Sequence, residues 1–263
     1  MEQKEPVKGQ DFFVSRFDTL PSTNDEAKRL AALGAADGTV VVANAQTAGR
    51  GRLDRPFVSP TGCGLYASVV LRPKVTPERL PLLTVAAAVA VAEGAEAVGG
   101  IPLGIKWVND VYSHEGKVAG ILVETAFSPS GYPDYAILGF GVNLFPWEER
   151  PAEAGHAASL FSSPPRETER KRLRDTLLEQ ALERFFVYYE KLEEKPFMKA
   201  YREKSVLMGR RVTVFSPGDK EKAYPLYAAT VTRIDDEGAL CLVTEAGEEK
   251  RLTFGEVSLA LDT

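Results

Sequence analysis

Cysteine and histidine are scarce in this chain, which has two of each among its 263 residues. Cys63 and Cys241 lie far apart, and neither is spaced with His114 or His156 as metal ligands are. This scarcity argues against a disulfide framework and against a zinc or iron centre held by the protein. It is typical of a protein from a reducing compartment.

Long apolar runs and an excess of positive charge are also missing. The N-terminus, MEQKEPVKGQDFF, lacks the apolar core of a signal peptide, and the apolar stretch from Leu80 to Ala92 is too short to cross a bilayer. The net charge is −5, which argues against a surface that binds nucleic acid. We therefore expect a cytoplasmic protein that binds neither membrane nor DNA.

A local concentration of positive charge follows Gln46, where glycine and arginine alternate as Gly49-Arg50-Gly51-Arg52 and Arg55 follows. Glycine leaves the backbone N–H groups of a loop open to an anion, and arginine matches carboxylate or phosphate with two parallel hydrogen bonds. An apolar strand is predicted at Leu65–Leu71, directly after this loop. A loop of this kind could hold a small anionic molecule, although a solvated turn would have the same composition.

Two other segments combine a predicted element with polar residues. Ser22, Thr23 and Asn24 begin a predicted helix, and Thr23 with Glu26 fits a capping box. Hydroxyls at a helix start are either simple caps or contacts to a polar ligand. A strand predicted over residues 135–144 carries Gly139 and Gly141 on one face, and such glycines usually mark the close approach of a ligand or another backbone.

The remaining pattern predicts a large domain followed by a small one. We expect a strand at residues 103–108, an alanine-rich helix at 77–98 and an amphipathic helix at 166–195. From Gly209 onward the chain has four short predicted strands separated by turns, which indicates a compact barrel. The predicted boundaries are 1–207 and 208–263.

Five segments occur in a characteristic order: Ser22-Thr23-Asn24, Gln46 with Gly49-Arg50-Gly51-Arg52, residues 106–110 (KWVND), residues 117–124 (KVAGILVE) and residues 139–143 (GFGVN). Together they resemble the biotin protein ligases, and the resemblance covers nearly the whole chain. Val108 stands where the family usually has proline, and Phe57 stands where many members have tryptophan. The N-terminal winged-helix domain of the repressor members is not expected, because only about 20 residues precede Ser22.

The resemblance implies an α+β fold in which helices back a mixed β-sheet, as in class II aminoacyl-tRNA synthetases and biotin ligases, followed by a small SH3-like barrel. It implies a two-step acyl transfer: biotin and MgATP form biotinyl-5′-AMP and pyrophosphate, and a lysine of a biotin carboxyl carrier protein then accepts the biotinyl group. The carrier of acetyl-CoA carboxylase or of a related carboxylase is the implied acceptor. Homodimers are common in the family, and the sequence leaves the oligomeric state open.

The site residues carry over position by position. Lys117, Arg50 and Arg52 are the expected catalytic residues. Those expected to bind biotin are Ser22, Thr23, Asn24, Gln46, Gly49, Arg50, Gly51, Arg52, Trp107, Lys117, Gly120, Gly139 and Gly141. Those expected to bind the nucleotide are Arg52, Arg55, Phe57, Lys106, Asn109, Asp110 and Asn143. Magnesium is expected as MgATP, with Asp110 as its candidate carboxylate, and no metal site made of protein ligands alone is expected.

Alternatives remain for single residues and for the whole chain. Lys117 alone could be a surface lysine after a turn, and Trp107 could be a core aromatic. A lipoate or octanoate ligase would share the adenylation chemistry, and a biotin- or nucleotide-binding sensor would bind without turnover. The loop from Ala48 to Pro56 is expected to be open without ligand and to close over the adenylate, because the anhydride hydrolyses in water.

Overall fold

The computed structural model describes residues 12–149, 152–216, 224–253 and 258–261, which contain two β-sheets and four α-helices. The first sheet has seven strands in the order β1-β2-β3-β7-β6-β5-β4. Its strands are β1 (Val14–Leu20), β2 (Val40–Gln46), β3 (Gly64–Leu71), β4 (Gly104–Lys106), β5 (Asp110–Ser113), β6 (Gly116–Phe127) and β7 (Pro133–Asn143). The β1–β2 pair is parallel and the other pairs are antiparallel, so the sheet is mixed.

Two faces of this sheet are covered by different helices, α1 (Thr23–Ala32) on one side and α2 (Pro81–Gly99) with α3 (Glu167–Glu190) on the other. Successive side chains of a β-strand point to opposite faces of the sheet, which explains why different helices cover the two faces. In β2, Val40 and Val42 belong to the large core that includes α2 and α3, whereas Val41 packs with Ala27 and Ala31 of α1. The α+β class predicted from the sequence is confirmed.

The second sheet is antiparallel and has five strands in the order β11-β10-β9-β8-β12. The strands are β8 (Arg211–Phe215), β9 (Pro225–Ile234), β10 (Leu240–Thr244), β11 (Glu249–Leu252) and β12 (Ser258–Leu261). The short helix α4 (Met198–Glu203) precedes it. The sequence pattern missed β12, which is only four residues long and pairs with β8. Closure into an SH3-like barrel stays a prediction.

The alanine-rich segment is a core element. Among the described residues, Pro77–Gly99 is long and apolar enough to span a membrane, and 67% of its most apolar window is buried inside the protein. Pro77–Arg79 forms a separate 3-10 turn before α2 begins at Pro81. The expected strand at residues 103–108 ends at Lys106, because the chain turns at Trp107 and Val108 before β5.

The predicted capping box at the start of α1 is wrong. Ser22 is the N-cap residue, and its side chain makes no capping hydrogen bond. Thr23 is the first helical residue, and its hydroxyl instead donates to Gln46 Oε1 at 3.1 Å. The hydroxyls at this helix start are therefore directed into the tertiary structure rather than onto the helix's own N–H groups.

Candidate active site

A cavity of about 230 Å³ opens on the α1 side of the seven-stranded sheet. Gly120 of β6 and Gly139 and Gly141 of β7 form its floor. Gly120 lies opposite Gly141, and Leu122 lies opposite Gly139. Strand positions without side chains leave space above the sheet that neighbouring groups or a ligand can fill. The three glycine positions therefore shape the floor of the cavity.

Two of these glycines are required by groups that rest on them. A Cβ at Gly139 would lie 2.1 Å from Asn24 Oδ1, and a Cβ at Gly141 would lie 2.4 Å from Cε1 of Phe57. Both distances are shorter than any real carbon contact, so a side chain at either position would displace its neighbour. Gly139 accommodates the start of α1, whereas Gly141 accommodates the Phe57 ring inside the cavity.

Neutral hydrogen-bonding groups form one end of the cavity. Gln46 Oε1 accepts from the Thr23 backbone N–H at 2.8 Å, and Gln46 Nε2 donates to Ser59 Oγ at 2.9 Å. The Ser68 hydroxyl lies 2.7 Å from Thr23 Oγ1 and 2.6 Å from Asn24 Oδ1. These contacts fix the side chains before any ligand arrives, which lowers the entropic cost of binding a polar molecule.

Arg50 is held at this end by two carboxylates. Its guanidinium donates to both oxygens of Asp25, at 2.5 and 2.8 Å, and lies 3.2 Å from Glu124 Oε2. The hydrogen bond from Arg50 lowers the pKa of Asp25. Burial works to raise the pKa of Glu124, but hydrogen bonds from Lys28 and Asn24 outweigh it and the pKa is lowered. Both carboxylates therefore remain ionised near neutral pH.

The Gly-Arg loop is a tight hairpin that places the other arginines. Gly51 N–H donates to Arg55 O at 2.7 Å, and Phe57 N–H donates to Gly49 O at 2.8 Å. Arg52 reaches across to Asn109 Oδ1 at 3.2 Å, and Asn109 Nδ2 donates to Ile121 O at 2.7 Å. The pKa of Arg52 is lowered, chiefly because burial disfavours its charge. A buried cation of this kind is stabilised by an anionic ligand.

Lys117 lies at the other end of the cavity, beside Asp110 and Phe57. Its Nζ is 2.7 Å from Asp110 Oδ1 and 5.9 Å from the centroid of the Phe57 ring. Its backbone N–H donates to His156 O at 2.9 Å, which holds the start of β6 against the segment after β7. The ammonium group is thus kept over the glycine floor at a defined place.

Lys106 and Tyr112 complete this end. Burial lowers the pKa of Lys106 and raises the pKa of Tyr112 to about 12. In the described part of the chain, five cationic side chains and one anionic side chain line the cavity: Arg50, Arg52, Arg55, Lys106, Lys117 and Asp110. The arrangement suits a ligand that is neutral and polar at one end and strongly anionic at the other.

Most residues predicted from the sequence line this single cavity. They are Ser22, Thr23, Asn24, Gln46, Arg50, Gly51, Arg52, Arg55, Phe57, Lys106, Trp107, Asn109, Asp110, Lys117, Gly120, Gly139 and Gly141. Gly49 and Asn143 do not line it. A Cβ at Gly49 would lie 2.4 Å from Phe57 O, so this glycine serves the hairpin itself. Asn143 is 3% exposed, and its Oδ1 has no hydrogen-bond partner among the described residues.

Several cavity residues were not predicted. Leu53, Pro56, Tyr112, Ile121, Leu122 and Phe140 also line the cavity. Asp25, Glu124 and Ser68 hold the residues that line it. Glu124 could have been found from alternation, since it shares a strand face with Gly120 and Leu122. Ser68 could also have been found, because it is a polar residue within an otherwise apolar strand, and such a residue is fully buried only when it has a partner.

Comparisons with known proteins identify the class to which this fold and cavity belong. Residues 16–143 match the biotin/lipoate A/B protein ligase family, and residues 208–260 match the biotin protein ligase C-terminal domain. A biotin–[acetyl-CoA-carboxylase] ligase of Mycobacterium tuberculosis is 33% identical over 228 residues, which cover 84% of this chain and 79% of that protein. The chain belongs to the biotin/lipoate A/B protein ligase family, within which it is a biotin protein ligase homologue.

A second relative and a solved structure agree with this placement. The bifunctional ligase/repressor BirA of Bacillus spizizenii is 41% identical over 141 residues, but the match spans only 42% of that longer protein. A biotin protein ligase from Aquifex aeolicus in complex with biotin and ATP superposes with a TM-score of 0.75 at 29% identity. That alignment covers 95% of this chain and 99% of the Aquifex chain.

Proposed function

We propose that this protein is an ATP-dependent biotin protein ligase. It activates the carboxylate of biotin as biotinyl-5′-AMP and then transfers the biotinyl group to a lysine of a biotin carboxyl carrier protein. The observation that carries the proposal is the cavity itself, in which neutral hydrogen-bonding groups and Arg50 at the α1 end meet four further cations along the rest of the wall.

The polar end suits the biotin ring system. Its ureido head is neutral and both donates and accepts hydrogen bonds, as do the hydroxyls and amides of Ser22, Thr23, Asn24 and Gln46. The glycine floor leaves room for the apolar ring and tail. The Trp107 ring, 6% exposed, supplies an apolar wall.

The cationic end suits the first step. A carboxylate oxygen of biotin attacks the α-phosphorus of ATP and pyrophosphate leaves, so two anionic groups must be brought together. Arg52 and Arg55, together with Arg50 from the α1 end, offset this repulsion, and Lys117 Nζ donates to the oxygens on which charge develops. Lys106, Asn109 and Phe57 are assigned to the nucleotide, as is Asn143, whose buried amide lies outside the cavity lining.

The second step needs no nucleophile from this chain. The amine of the acceptor lysine attacks the carbonyl of the mixed anhydride and AMP leaves, so the adenylate is already the activated intermediate. Lys117 stabilises the oxyanion formed at that carbonyl. We assign the loop of residues 48–56 the task of covering the adenylate, because water would otherwise hydrolyse it.

Magnesium is proposed to enter with ATP. Within the described ranges, no three His, Cys, Asp or Glu side chains are close enough together to hold a metal ion. Asp110 is the one carboxylate that lines the cavity among the residues the structure describes, and it is 2.7 Å from Lys117 Nζ. This donor set fits an ion that keeps most of its ligands from phosphate and water. When bound, the ion supplies further positive charge at the phosphates.

The proposal extends to the acceptor protein, the cellular location, the domain division and the assembly. The acceptor is the biotin carboxyl carrier of acetyl-CoA carboxylase or a related carboxylase, and the location is the cytoplasm. We divide the chain into a catalytic domain of residues 1–207 and a second domain of residues 208–263. A role in DNA binding is not proposed, and homodimer formation through an edge of the large sheet is consistent with the position of β1 as an edge strand.

Substrate-dependent ATP–pyrophosphate exchange tests the proposal, with biotin, lipoate and octanoate compared side by side. We expect exchange with biotin alone, lost in Lys117→Ala and Arg50→Ala. Lys199→Ala, which removes a lysine that is 85% exposed and paired only loosely with Glu203, is the matched control and should retain activity. Exchange with lipoate or octanoate instead would assign the chain to the sister enzymes. Binding of biotin without exchange would leave a sensor as the function.

A further inference from the structure

Trp107 connects the candidate active site to the second sheet. It follows β4, lines the cavity and is 6% exposed. Its indole Nε1 donates a buried hydrogen bond of 2.9 Å to the carbonyl oxygen of Gly238. Gly238 lies in the turn between β9 and β10 at a φ of +76°, a conformation that glycine adopts without strain. A wall of the cavity is therefore bonded to the backbone of a remote turn.

Asp235 fixes the shape of this turn. Its Oδ1 accepts hydrogen bonds of 2.9 Å from the backbone N–H groups of Glu237 and Ala239. Its Oδ2 accepts from Arg251 of β11 at 2.7 Å. Burial works to raise the pKa of Asp235, but these hydrogen bonds outweigh it, and the pKa is lowered. The turn is thus internally rigid, and Gly238 O points in one defined direction.

Ion pairs fasten the turn to the part of the chain that precedes the second sheet. Glu237 is paired with Arg79, at the start of the α2 segment, and with Lys195, whose Nζ lies 2.7 Å from it. Asp236 is paired with Arg202 of α4. Two acidic side chains of one turn are therefore held by three cations that belong to the first 207 residues.

Helix α4 holds the same tryptophan segment from the other direction. The hydroxyl of Tyr201, fully buried, donates to Val108 O at 2.9 Å. The neighbouring Arg202 donates through Nε to Ile234 O, at the end of β9, also at 2.9 Å. Residues 107 and 108 are consequently fixed by one bond from α4 and one bond to the β9–β10 turn.

We propose that the β9–β10 turn, residues 235–238, is a positioning element of the ligand cavity, and that Glu237 acts through Gly238 O to fix Trp107. The consequence extends beyond the indole ring, because the same short segment carries Lys106, Asn109 and Asp110 into the cavity. The described residues of the second sheet thereby support ligand binding without lining the cavity. This inference rests on the proposed function only for the identity of the ligands.

The experiment compares Glu237→Ala with a matched control, Glu245→Ala. Glu245 lies in the turn at the other end of β10 and is paired with Arg211 of β8 at 2.5 Å. Both variants therefore remove an ion-paired acid from a turn beside β10, but Glu237 pairs outside the second sheet, with Arg79 and Lys195, whereas Glu245 pairs within it. Hydrogen exchange of the Trp107 indole N–H is measured in protein labelled with ¹⁵N-tryptophan. The chain has two tryptophans, and Trp147→Phe assigns the remaining signal to Trp107.

We expect faster indole exchange in Glu237→Ala and no change in Glu245→Ala. Trp107→Phe, which keeps an aromatic ring and removes the donor, should weaken binding of biotin or ATP about fivefold, as loss of one hydrogen bond does. Adding Glu237→Ala to Trp107→Phe should then cost little more, because both changes break the same link. In the pyrophosphate exchange assay, the effect should fall on KM rather than on kcat.

Two results would overturn the proposal. One is unchanged indole exchange in Glu237→Ala, and the other is full additivity of the two substitutions in ligand affinity. Absence of pyrophosphate exchange in the unaltered protein would refute the proposed function but not the role of the β9–β10 turn, because hydrogen exchange of the indole is measured without substrate.

Discussion

Replacing Gly141 by alanine tests the role of the glycine floor. The new Cβ would lie 2.4 Å from Cε1 and 2.6 Å from Cζ of Phe57, whereas an ordinary contact begins near 3.4 Å. The ring must therefore retreat by about 1 Å or swing away. Because it is the far end of a rotatable side chain, it can move without distorting β7, and it then leaves its place beside Lys117 Nζ.

The expected outcome is a loss of ligand affinity without a loss of stability. Alanine restricts the unfolded chain more than glycine does, which favours the folded state by about 0.4–1 kcal/mol and offsets the crowding. We expect a melting temperature within a few degrees of the original protein. In pyrophosphate exchange, KM for ATP should rise about tenfold, equivalent to about 1.4 kcal/mol.

A double-mutant cycle isolates the cause. In a Phe57→Ala background there is no ring to displace, so Gly141→Ala should have almost no further effect. Gly120→Ala is the milder comparison, since its Cβ would lie 3.1 Å from Lys117 Nζ and 3.4 Å from the Phe57 ring. A fall in melting temperature with unchanged KM, or an equal effect of Gly141→Ala with and without Phe57, would refute the reasoning.

Three further predictions concern charge, buried polar contacts and the loop. Glu124→Gln should lower the free energy of unfolding at neutral pH. The folded-state pKa of Glu124 lies below its usual 4.5, so the stability difference between variant and unaltered protein is complete above pH 4.5. That difference should shrink when urea unfolding is repeated at lower pH. A difference that grows with acidity would contradict this. Ser68→Ala should cost about 1–3 kcal/mol in thermal unfolding, because Asn24 Oδ1 loses a buried donor; a neutral substitution would show that the hydroxyl is dispensable. Biotin with ATP should slow tryptic cleavage after Arg50 and Arg52 more than either alone, and equal rates with and without ligands would argue against loop closure.

Local sequence determined the strands and the residue types of the site. The apolar strand β3 and the glycines of β7 were readable because strand alternation and glycine spacing depend on near neighbours. The alternating Gly-Arg loop was readable for the same reason. The capping box at Thr23 was the characteristic error, because the local pattern could not show that Gln46, twenty-three positions away, would take the hydroxyl.

Contacts between distant segments were decided by tertiary structure alone. Which cations receive a carboxylate partner depends on register between strands and on the placement of α1, so the pairing of Arg50 with Asp25 and Glu124 could not be derived from spacing. The hydrogen bond from Trp107 to Gly238 joins residues 131 positions apart. Sequence by itself determined the chemical groups and most of the elements that carry them. Only the packing of α1, α4 and the β9–β10 turn decided which groups meet, because side-chain contacts depend on three-dimensional geometry that local periodicity does not encode.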